Sequence, residues 1–252
     1  MFNDLPSLNP PWSGLGKRIE STIRKAMYDY NMVDDAKKIV IALSGGKDSL
    51  TLMLMLKAIS GRGFPEFDLY AVHVGGEFTC GAGVNTQYLQ NICDALNIPL
   101  IIKESTQKLE TLECYSCSRE RRSLLFKAAK EVGASTVAFG HHRDDNAQTI
   151  LMNLLHKGEF AGNLPKLPMV DYGVTIIRPL IYISEQEIKT FSKQQGYLRI
   201  MCQCPVGQKS ARKQVDDLLN HIEEMYPYAR ENIARAGLIY GSDKAIRKNN
   251  KV

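Results

Sequence analysis

The residues with the clearest chemistry in this chain form the hexapeptide Ser44-Gly-Gly-Lys-Asp-Ser49. It follows residues 39–43, an apolar run rich in Ile and Val that predicts a buried strand, and it leads into a predicted helix. The two glycines let the backbone approach a ligand closely, and the N–H groups at the start of a helix attract an anion. The lysine adds a mobile cation, and the serines add hydroxyl donors. This pattern predicts a loop that binds phosphate.

The hexapeptide differs from the Walker A loop, which requires Gly-x-x-x-x-Gly-Lys-Ser/Thr. Ile41 stands where the first glycine of that motif would lie. The string instead resembles the pyrophosphate loop of the N-type ATP pyrophosphatases. This resemblance implies cleavage of ATP between its α- and β-phosphates, which yields AMP and pyrophosphate by way of an adenylated substrate. The residues expected to contact ATP here, with Lys47 and Asp48 also catalytic, are Ser44, Gly45, Gly46, Lys47, Asp48 and Ser49.

A second polar segment, Gly140-His-His-Arg-Asp-Asp145, follows another predicted strand at 136–139. The carboxyl ends of parallel strands meet at one edge of a sheet, so this segment and the phosphate loop are expected to lie together. Asp48 or Asp145 is then a ligand for Mg²⁺, which prefers one or two carboxylates plus phosphate oxygens. Asp145 is also a candidate catalytic residue, although it could simply cap a helix that begins at Asn146. The segment's further expected ATP contacts are Gly140, His141 and Asp144.

The two histidines of that segment have several possible roles. His141 and His142 could act as general acid–base groups or contact the adenine and ribose of a nucleotide. Either one could equally be a buried histidine that is merely hydrogen-bonded.

Four of the six cysteines form two close pairs, which indicates metal or redox chemistry rather than a disulfide framework. Cys114-Tyr-Ser-Cys117 leads into a predicted helix, and Cys202-Gln-Cys204 lies far downstream. Thiolates from both pairs could hold tetrahedral zinc or an iron–sulfur cluster, and the first pair alone could be a redox couple. A three-cysteine cluster with one open iron fits the uneven spacing better than a zinc knuckle. Cys93 is expected in the core and Cys80 as a free thiol.

Three stretches together resemble the bacterial tRNA cytidine 2-thiolation family, over about residues 15 to 236. They are Cys114-x-x-Cys-Ser-Arg-x-Arg-Arg122, the Gly140 segment above, and Ile177-Arg-Pro-Leu180. The resemblance implies ATP-dependent conversion of the cytidine at tRNA position 32 to 2-thiocytidine. It also implies a [4Fe–4S] cluster on three cysteines, whose free iron carries sulfur from a donor such as a cysteine desulfurase or inorganic sulfide.

The cluster ligands that match the family are Cys114 and Cys117, while the third is open between two residues. Cys204 precedes a proline and resembles the signature of related uridine thiolases, so it is favoured over Cys202. One stretch departs from the family: Val74-Gly-Gly-Glu-Phe78 replaces an Asp-rich segment that members usually carry there.

The formal net charge of +5 is modest, but basic residues occur in clusters that suit a polyanionic partner. Charge alone favours an ordinary solvated surface. Arg121 shares a helical face with the first cysteine pair and could stabilise hydrosulfide or a tRNA phosphate. The residues expected to contact the RNA backbone are Arg119, Arg122, Lys209, Arg212 and Lys213. Basic helices at both ends could also serve a homodimer.

Other functions are compatible with parts of the pattern, two of them in the same superfamily. Uridine 2-thiolation and lysidine synthesis belong to the same superfamily, although lysidine synthesis needs no cysteines. A nucleotide-binding iron–sulfur redox sensor needs no lysine–aspartate pair directed at phosphates, so Lys47 and Asp48 disfavour it. A structural zinc site in an ATP-dependent ligase or amidase is a further alternative.

The elements that must position these residues alternate between strand and helix, which predicts an α/β fold with an open parallel sheet and helices on both faces. The predicted strands are 39–43, 68–74, 99–103, 136–139 and 174–178. The predicted helices are 15–30, 49–60, 85–96, 118–132, 146–156, 184–195, 211–225 and 227–236, and 157–171 is interpreted as an active-site loop.

The predicted organisation adds a segment at each end of the sheet. Residues 1–35 form an N-terminal helical segment, 36–200 the PP-loop ATP pyrophosphatase domain, 201–240 a cysteine turn with basic helices, and 241–252 a polar tail. Hydrophobic residues make up 44% and charged residues 23% of the chain, as in ordinary soluble proteins. No apolar run approaches the ~20 residues needed to cross a bilayer, and residues 1–16 lack the features of a signal peptide. A cytoplasmic protein without membrane contact is therefore expected.

Overall fold

The computed structural model describes residues 10, 12, 14–33, 36–76, 85–107, 114–197 and 211–240. Helices and strands alternate through most of this length. In chain order they are α1 (Gly14–Asp29), β1 (Lys38–Ala42), α2 (Lys47–Ile59), β2 (Asp68–Gly75), α3 (Thr86–Ala95), β3 (Leu100–Glu104), α4 (Cys114–Glu131), β4 (Thr136–Ala138), α5 (Arg143–Lys157), β5 (Lys166–Met169), β6 (Val174–Ile177), α6 (Glu185–Gln194), α7 (Ala211–Met225) and α8 (Ala229–Ile239).

The six strands form one sheet in the order β3-β2-β1-β4-β6-β5, and every neighbouring pair except the last is parallel. The predicted parallel α/β sheet is confirmed. The prediction that 157–171 is loop throughout was wrong, because β5 pairs antiparallel with β6 at the edge of the sheet. Its four residues include Pro168, which removes a backbone donor and is tolerated on an edge strand. Such a short segment carries no periodic signal.

Both faces of the sheet are covered. In β1 the side chains of Ile39 and Ile41 join the core that includes α1, α2, α3 and α6, whereas Val40 joins the core against α4. This alternation follows from the period of two along a strand. The strand is buried on both faces, as expected for the centre of a parallel sheet. A third, smaller cluster joins α5, α7 and α8.

Three helices begin two or more residues earlier than predicted, and each of these helix starts carries site residues. The structure begins α2 at Lys47, α4 at Cys114 and α5 at Arg143, instead of at 49, 118 and 146. The first cysteine pair therefore lies within the first turn of α4 rather than before it. The predicted cysteine turn at 202–207 and the tail at 241–252 lie outside the described residues. None of the described helices is long and apolar enough to cross a membrane.

Candidate active site

The predicted phosphate loop connects β1 to α2 at the carboxyl edge of the sheet. Gly45 has φ of +83°, a conformation that favours glycine, and Gly46 is the N-cap of α2. The Ser44 hydroxyl accepts a hydrogen bond from the Gly46 N–H at 3.3 Å, and the Ser49 hydroxyl donates to the Gly46 carbonyl at 3.0 Å. No described side chain caps α2. The N–H groups of its first turn therefore remain available to an anion.

Gly140 brings the second polar segment against this loop. A Cβ at this position would lie 3.1 Å from the carbonyl carbon of Asp48 and 3.2 Å from the backbone nitrogen of Ser49. Both are main-chain atoms and cannot rotate away. The absence of a side chain is thus what allows the chain after β4 to touch the start of α2, as the sequence predicted for these two segments.

Lys47 is enclosed by two carboxylates. Its side chain is 13% exposed, and Nζ lies 3.0 Å from Asp48 Oδ1 and 3.1 Å from Glu185 Oε1. Burial disfavours the charged ammonium, but the adjacent carboxylates, Asp48 foremost, raise the pKa of Lys47 above its ordinary value. The side chain is therefore a fixed cation at neutral pH, next to the helix start that would receive phosphate.

His142 connects the two predicted Mg²⁺ ligands. It is the N-cap of α5, and its Nδ1 accepts a hydrogen bond from the Asp145 N–H, which assigns the proton to Nε2. Nε2 lies 3.4 Å from Asp145 Oδ2 and 3.8 Å from Asp48 Oδ1. Asp145 is not the N-cap, so the alternative assignment was wrong. It forms the other half of a capping box by accepting from the His142 N–H at 3.0 Å.

Asp145 also receives a cation from the C-terminal helices. Arg212, in the first turn of α7, places Nη1 3.0 Å from Asp145 Oδ1. Burial works against ionisation of this carboxyl group, but His142 and Arg212 outweigh it, and the pKa of Asp145 is lowered below its ordinary value. The sequence pointed to Arg212 as an RNA contact, whereas the structure brings it into the site. Lys213 instead pairs with Asp217 at 2.7 Å on the surface.

His141 is partly buried and uncharged. It stacks on Phe139 with ring centroids 5.6 Å apart, and its Nδ1 accepts a hydrogen bond from Arg178 Nε at 3.2 Å. Burial and the nearby guanidinium of Arg178 lower the pKa of His141 to about 3. At neutral pH the neutral imidazole is therefore favoured, and its Nδ1 serves as a hydrogen-bond acceptor.

Asp144 ties α5 to α6. Its Oδ2 accepts a hydrogen bond from the Glu185 backbone N–H at 2.6 Å, next to the capping box formed by Ser184 and Glu187. Its buried Oδ1 has no hydrogen-bond partner among the described residues and lies 3.5 Å from Arg143 Nε. Asp144 thus positions Glu185 beside Lys47.

Glu185 and Arg178 are the site residues that sequence reasoning missed. Glu185 lies in a capping-box sequence, which indicates a helix start and carries no sign of a distant lysine partner. Arg178 stood within a quoted family motif but received no role. A charged residue at the end of a buried strand was the available signal.

The first cysteine pair lies at the start of α4. Cys117 is 7% exposed, and Arg121 lies within electrostatic reach of buried His73 on β2. On the outer face Tyr115 is 73% exposed with the Arg119 guanidinium 5.7 Å from its ring centroid, and Arg122 donates to Ser118 at 2.8 Å. Side-chain placements of Cys114, Cys202, Cys204 and Lys209 lie outside the described residues.

The expected ions can be compared with the residues present. Within the described part of the chain, no group of three His, Cys, Asp or Glu side chains is arranged to hold a metal. Asp48 and Asp145, both close to His142 Nε2, nevertheless fit Mg²⁺, which takes few protein ligands when phosphate oxygens supply the others. Cys117 is a buried thiol suited to a cluster ligand. Cys93, which was predicted to lie in the core, is fully buried away from this site.

Comparisons with known proteins agree with this architecture. A family model described as a PP-loop domain matches residues 15–199. A tRNA-cytidine(32) 2-sulfurtransferase of Cronobacter sakazakii is 34% identical over 225 residues, covering 84% of this chain and 71% of the relative. The proteins of the same name from Vibrio cholerae and Dechloromonas aromatica are each 33% identical, covering 88% of this chain and 74% and 79% of theirs.

A solved structure has the same fold. The U34-tRNA thiolase NcsA from Methanococcus maripaludis, solved with its [4Fe-4S] cluster, superposes with a TM-score of 0.68 at 22% identity, covering 88% of this chain and 78% of that one. At this identity the likeness concerns the fold alone.

Proposed function

The chain belongs to the PP-loop family and, within it, to the tRNA-cytidine(32) 2-sulfurtransferases, and on this premise we propose that it converts the cytidine at tRNA position 32 to 2-thiocytidine. ATP is consumed and AMP and pyrophosphate are released. The observation that carries the proposal is the convergence of Lys47, Asp48 and Asp145 from two parallel strands around a helix start that lacks a side-chain cap.

The first step is adenylation of the base. The C2 oxygen of cytidine attacks the α-phosphorus of ATP, a new C2–O–P linkage forms, and the bond to the β-phosphate breaks to release pyrophosphate. Negative charge builds on the phosphates during this step, so fixed cations and oriented N–H groups are the effective catalysts. The leaving pyrophosphate would lie against Lys47 and the N–H groups at the start of α2. The loop from Ser44 to Ser49, with Gly140 packed against it, is the proposed pyrophosphate site.

Mg²⁺ would be held by Asp48 and Asp145 together with phosphate oxygens, and it would neutralise charge on the leaving group. His142 lies close to both carboxylates, with Nε2 3.4 Å from Asp145 Oδ2 and 3.8 Å from Asp48 Oδ1, and its backbone N–H donates to Asp145. We propose that the Arg212 guanidinium keeps Asp145 ionised, in addition to the RNA contact expected of its exposed part. The remaining proposed ATP contacts are His141, as a neutral imidazole, and Asp144.

Sulfur enters on the side of α4. A [4Fe–4S] cluster would be held by Cys114, Cys117 and Cys204, and when bound it supplies a site for incoming sulfide. Sulfide, taken from solution or released from the persulfide of a cysteine desulfurase by a two-electron thiol reductant, attacks C2. A C–S bond forms, and the C–O bond breaks so that AMP leaves. Arg121 is placed to stabilise an anionic sulfur species. The remaining contacts proposed for the tRNA backbone are Arg119, Arg122, Lys209 and Lys213.

Mass spectrometry of tRNA nucleosides tests the proposal. The gene is expressed in a host that lacks its own 2-thiolation enzyme, and digests are compared with those of the empty host. Appearance of 2-thiocytidine is the expected result, and a 2-thiouridine in its place would assign a different base. If a protein with its full iron and sulfide content yields no new thionucleoside, the proposed reaction is wrong.

A further inference from the structure

Arg178, directly after β6, is a buried arginine with only neutral hydrogen-bond partners. It is 8% exposed; Nε donates to His141 Nδ1 at 3.2 Å, and Nη1 donates to the Leu164 carbonyl. No carboxylate of the described residues forms an ion pair with it. By contrast, the partly buried Arg230 lies 2.9 Å from Asp216 Oδ1 and 2.8 Å from Glu223 Oε2. Because an unpaired buried charge is costly, Arg178 is unusual in this chain.

The surroundings of Arg178 increase that cost. Burial and the like charge of Arg122 on α4 lower the pKa of Arg178 to about 10, although it remains protonated at neutral pH. Asp145 is the carboxylate that acts on Arg178 electrostatically, but it forms its ion pair with Arg212 and accepts a hydrogen bond from the His142 N–H. The positive charges of Arg178 and Arg122 therefore repel each other in this region. An arrangement of this kind is stabilised when an anion binds between or beside the guanidinium groups.

The location of Arg178 relates this region to the proposed reaction. β6 pairs with β4, and the chain after β4 packs through Gly140 against the start of α2. Arg178 thus lies at the same carboxyl edge as the phosphate loop, on the side of β4 opposite to β1. The charge of Arg178 is not part of the phosphate loop's own ion pairs, because there Asp48 and Glu185 are paired with Lys47.

We propose that Arg178 anchors a second anion subsite, separate from the phosphate loop, that binds a single phosphate group. The source is either the α-phosphate of the nucleotide or a backbone phosphate of the RNA beside the target base. A guanidinium fork matches two oxygens of such a group, and neutral His141 fixes the orientation of the fork without competing for the anion. The choice of these two phosphate groups as candidates rests on the proposed function.

A structural role must be separated from this one. The Arg178 N–H donates to the Pro165 carbonyl at 2.8 Å and its side chain reaches Leu164, so the residue also holds the segment before β5. Loss of that role would impair every ligand alike. Loss of the anion subsite would impair only ligands that carry the relevant phosphate.

The test compares equilibrium binding of adenosine, AMP, pyrophosphate and unmodified tRNA to the cluster-loaded wild type and to Arg178→Gln. If the α-phosphate is bound, the ratio of AMP to adenosine affinity falls roughly tenfold or more, as expected for loss of a charge-assisted hydrogen bond. If an RNA phosphate is bound, tRNA affinity falls and its logarithmic salt dependence decreases by about one counterion. Pyrophosphate binding stays unchanged in both cases.

Two further variants make the result decisive. Arg178→Lys keeps the cation and should retain most of the phosphate-dependent difference even if Arg178→Gln folds poorly. Arg230→Gln removes a partly buried arginine that is paired with Asp216 and Glu223, and it should leave all four affinities unchanged. Equal weakening of adenosine and AMP with unaltered salt dependence would overturn the subsite. A phosphate effect in a protein that forms no 2-thiocytidine would instead retain the subsite and reject the reaction.

Discussion

Lys47 Nζ lies 3.1 Å from Glu185 Oε1, so the cation of the phosphate loop is already engaged by the first residue of α6. Glu185 is held there by Lys189, 2.9 Å from its other oxygen, and by the Asp144 carboxylate, which accepts from its backbone N–H. Bound phosphate would compete with Glu185 for Lys47. Glu185 therefore limits how strongly Lys47 attracts an anion.

Glu185→Gln removes the competing charge while it keeps the shape of the side chain. We expect pyrophosphate to bind roughly two- to fivefold more tightly, because partly exposed ion pairs contribute up to about 1 kcal/mol. Isothermal titration calorimetry measures this. Glu131→Gln, which removes the partner of Lys103 at the surface, serves as the control and should change nothing. Unchanged or weaker pyrophosphate binding in the Glu185 variant would contradict the competition.

Lys47→Ala should abolish thiolation and spare the cluster. The lysine is the cation beside the departing pyrophosphate, and loss of one such contact costs about 100-fold or more in rate. Thionucleoside formation and iron content are measured on the same preparation. Lys103→Ala, which removes a lysine paired with Glu131 at the surface, is the matched control. Full activity of Lys47→Ala would refute the phosphate role.

Gly140→Ala should destabilise the protein, whereas Gly46→Ala should not. A Cβ at Gly140 meets main-chain atoms of Asp48 and Ser49 at 3.1 and 3.2 Å, and such overpacking costs about 1–3 kcal/mol. At Gly46, with φ of −76°, the nearest atom is 3.5 Å away. Urea unfolding without nucleotide gives the two free energies. Equal stability of both variants would mean that the contact between the two segments is loose.

His141→Asn should flatten the acid side of the stability profile. The folded pKa of His141 is about 3, far below the ordinary value near 6.5 of the unfolded chain. The unfolded state therefore binds more protons between these values, and the free energy of unfolding falls by up to ~1.4 kcal/mol per pH unit as pH drops below 6.5. Asn keeps an acceptor for Arg178 but cannot titrate.

The measurement is urea unfolding at pH 7, 6, 5 and 4.5 in metal-free buffer. Buried His73 also has a lowered pKa and contributes in the same range, so only the difference between wild type and variant reports His141. Parallel profiles for the two proteins would show that His141 is protonated in the folded state.

Cys117→Ser should lose most of the brown cluster absorbance and bound iron after anaerobic reconstitution. Serine retains the size of the side chain but is a poor ligand for iron in place of a thiolate. Cys93→Ala is the control: that thiol is fully buried beside Met53, its pKa is raised to about 12 by burial, and it should not affect iron content. Stoichiometric zinc without iron or sulfide in the wild type would refute the cluster itself.

Local sequence was sufficient for the features that depend on neighbouring residues. The strand, glycine turn and helix around Lys47 follow from an apolar run and conformational freedom within eleven residues, 39–49. The capping box of Ser184 and Glu187 spans a single turn and was equally predictable. The start of α5 was not, because a histidine cap is uncommon and Asp145 looked like the better cap.

By itself, then, the sequence determined the parallel α/β sheet, the phosphate loop and the family, because each is encoded in short contiguous patterns. The tertiary structure decided which charges meet. Glu185 reaches Lys47, Arg212 reaches Asp145, and Arg178 reaches His141 across separations of 138, 67 and 37 residues. No local periodicity encodes such pairs, since they arise only when strands and helices from distant parts of the chain pack together at the carboxyl edge of the sheet.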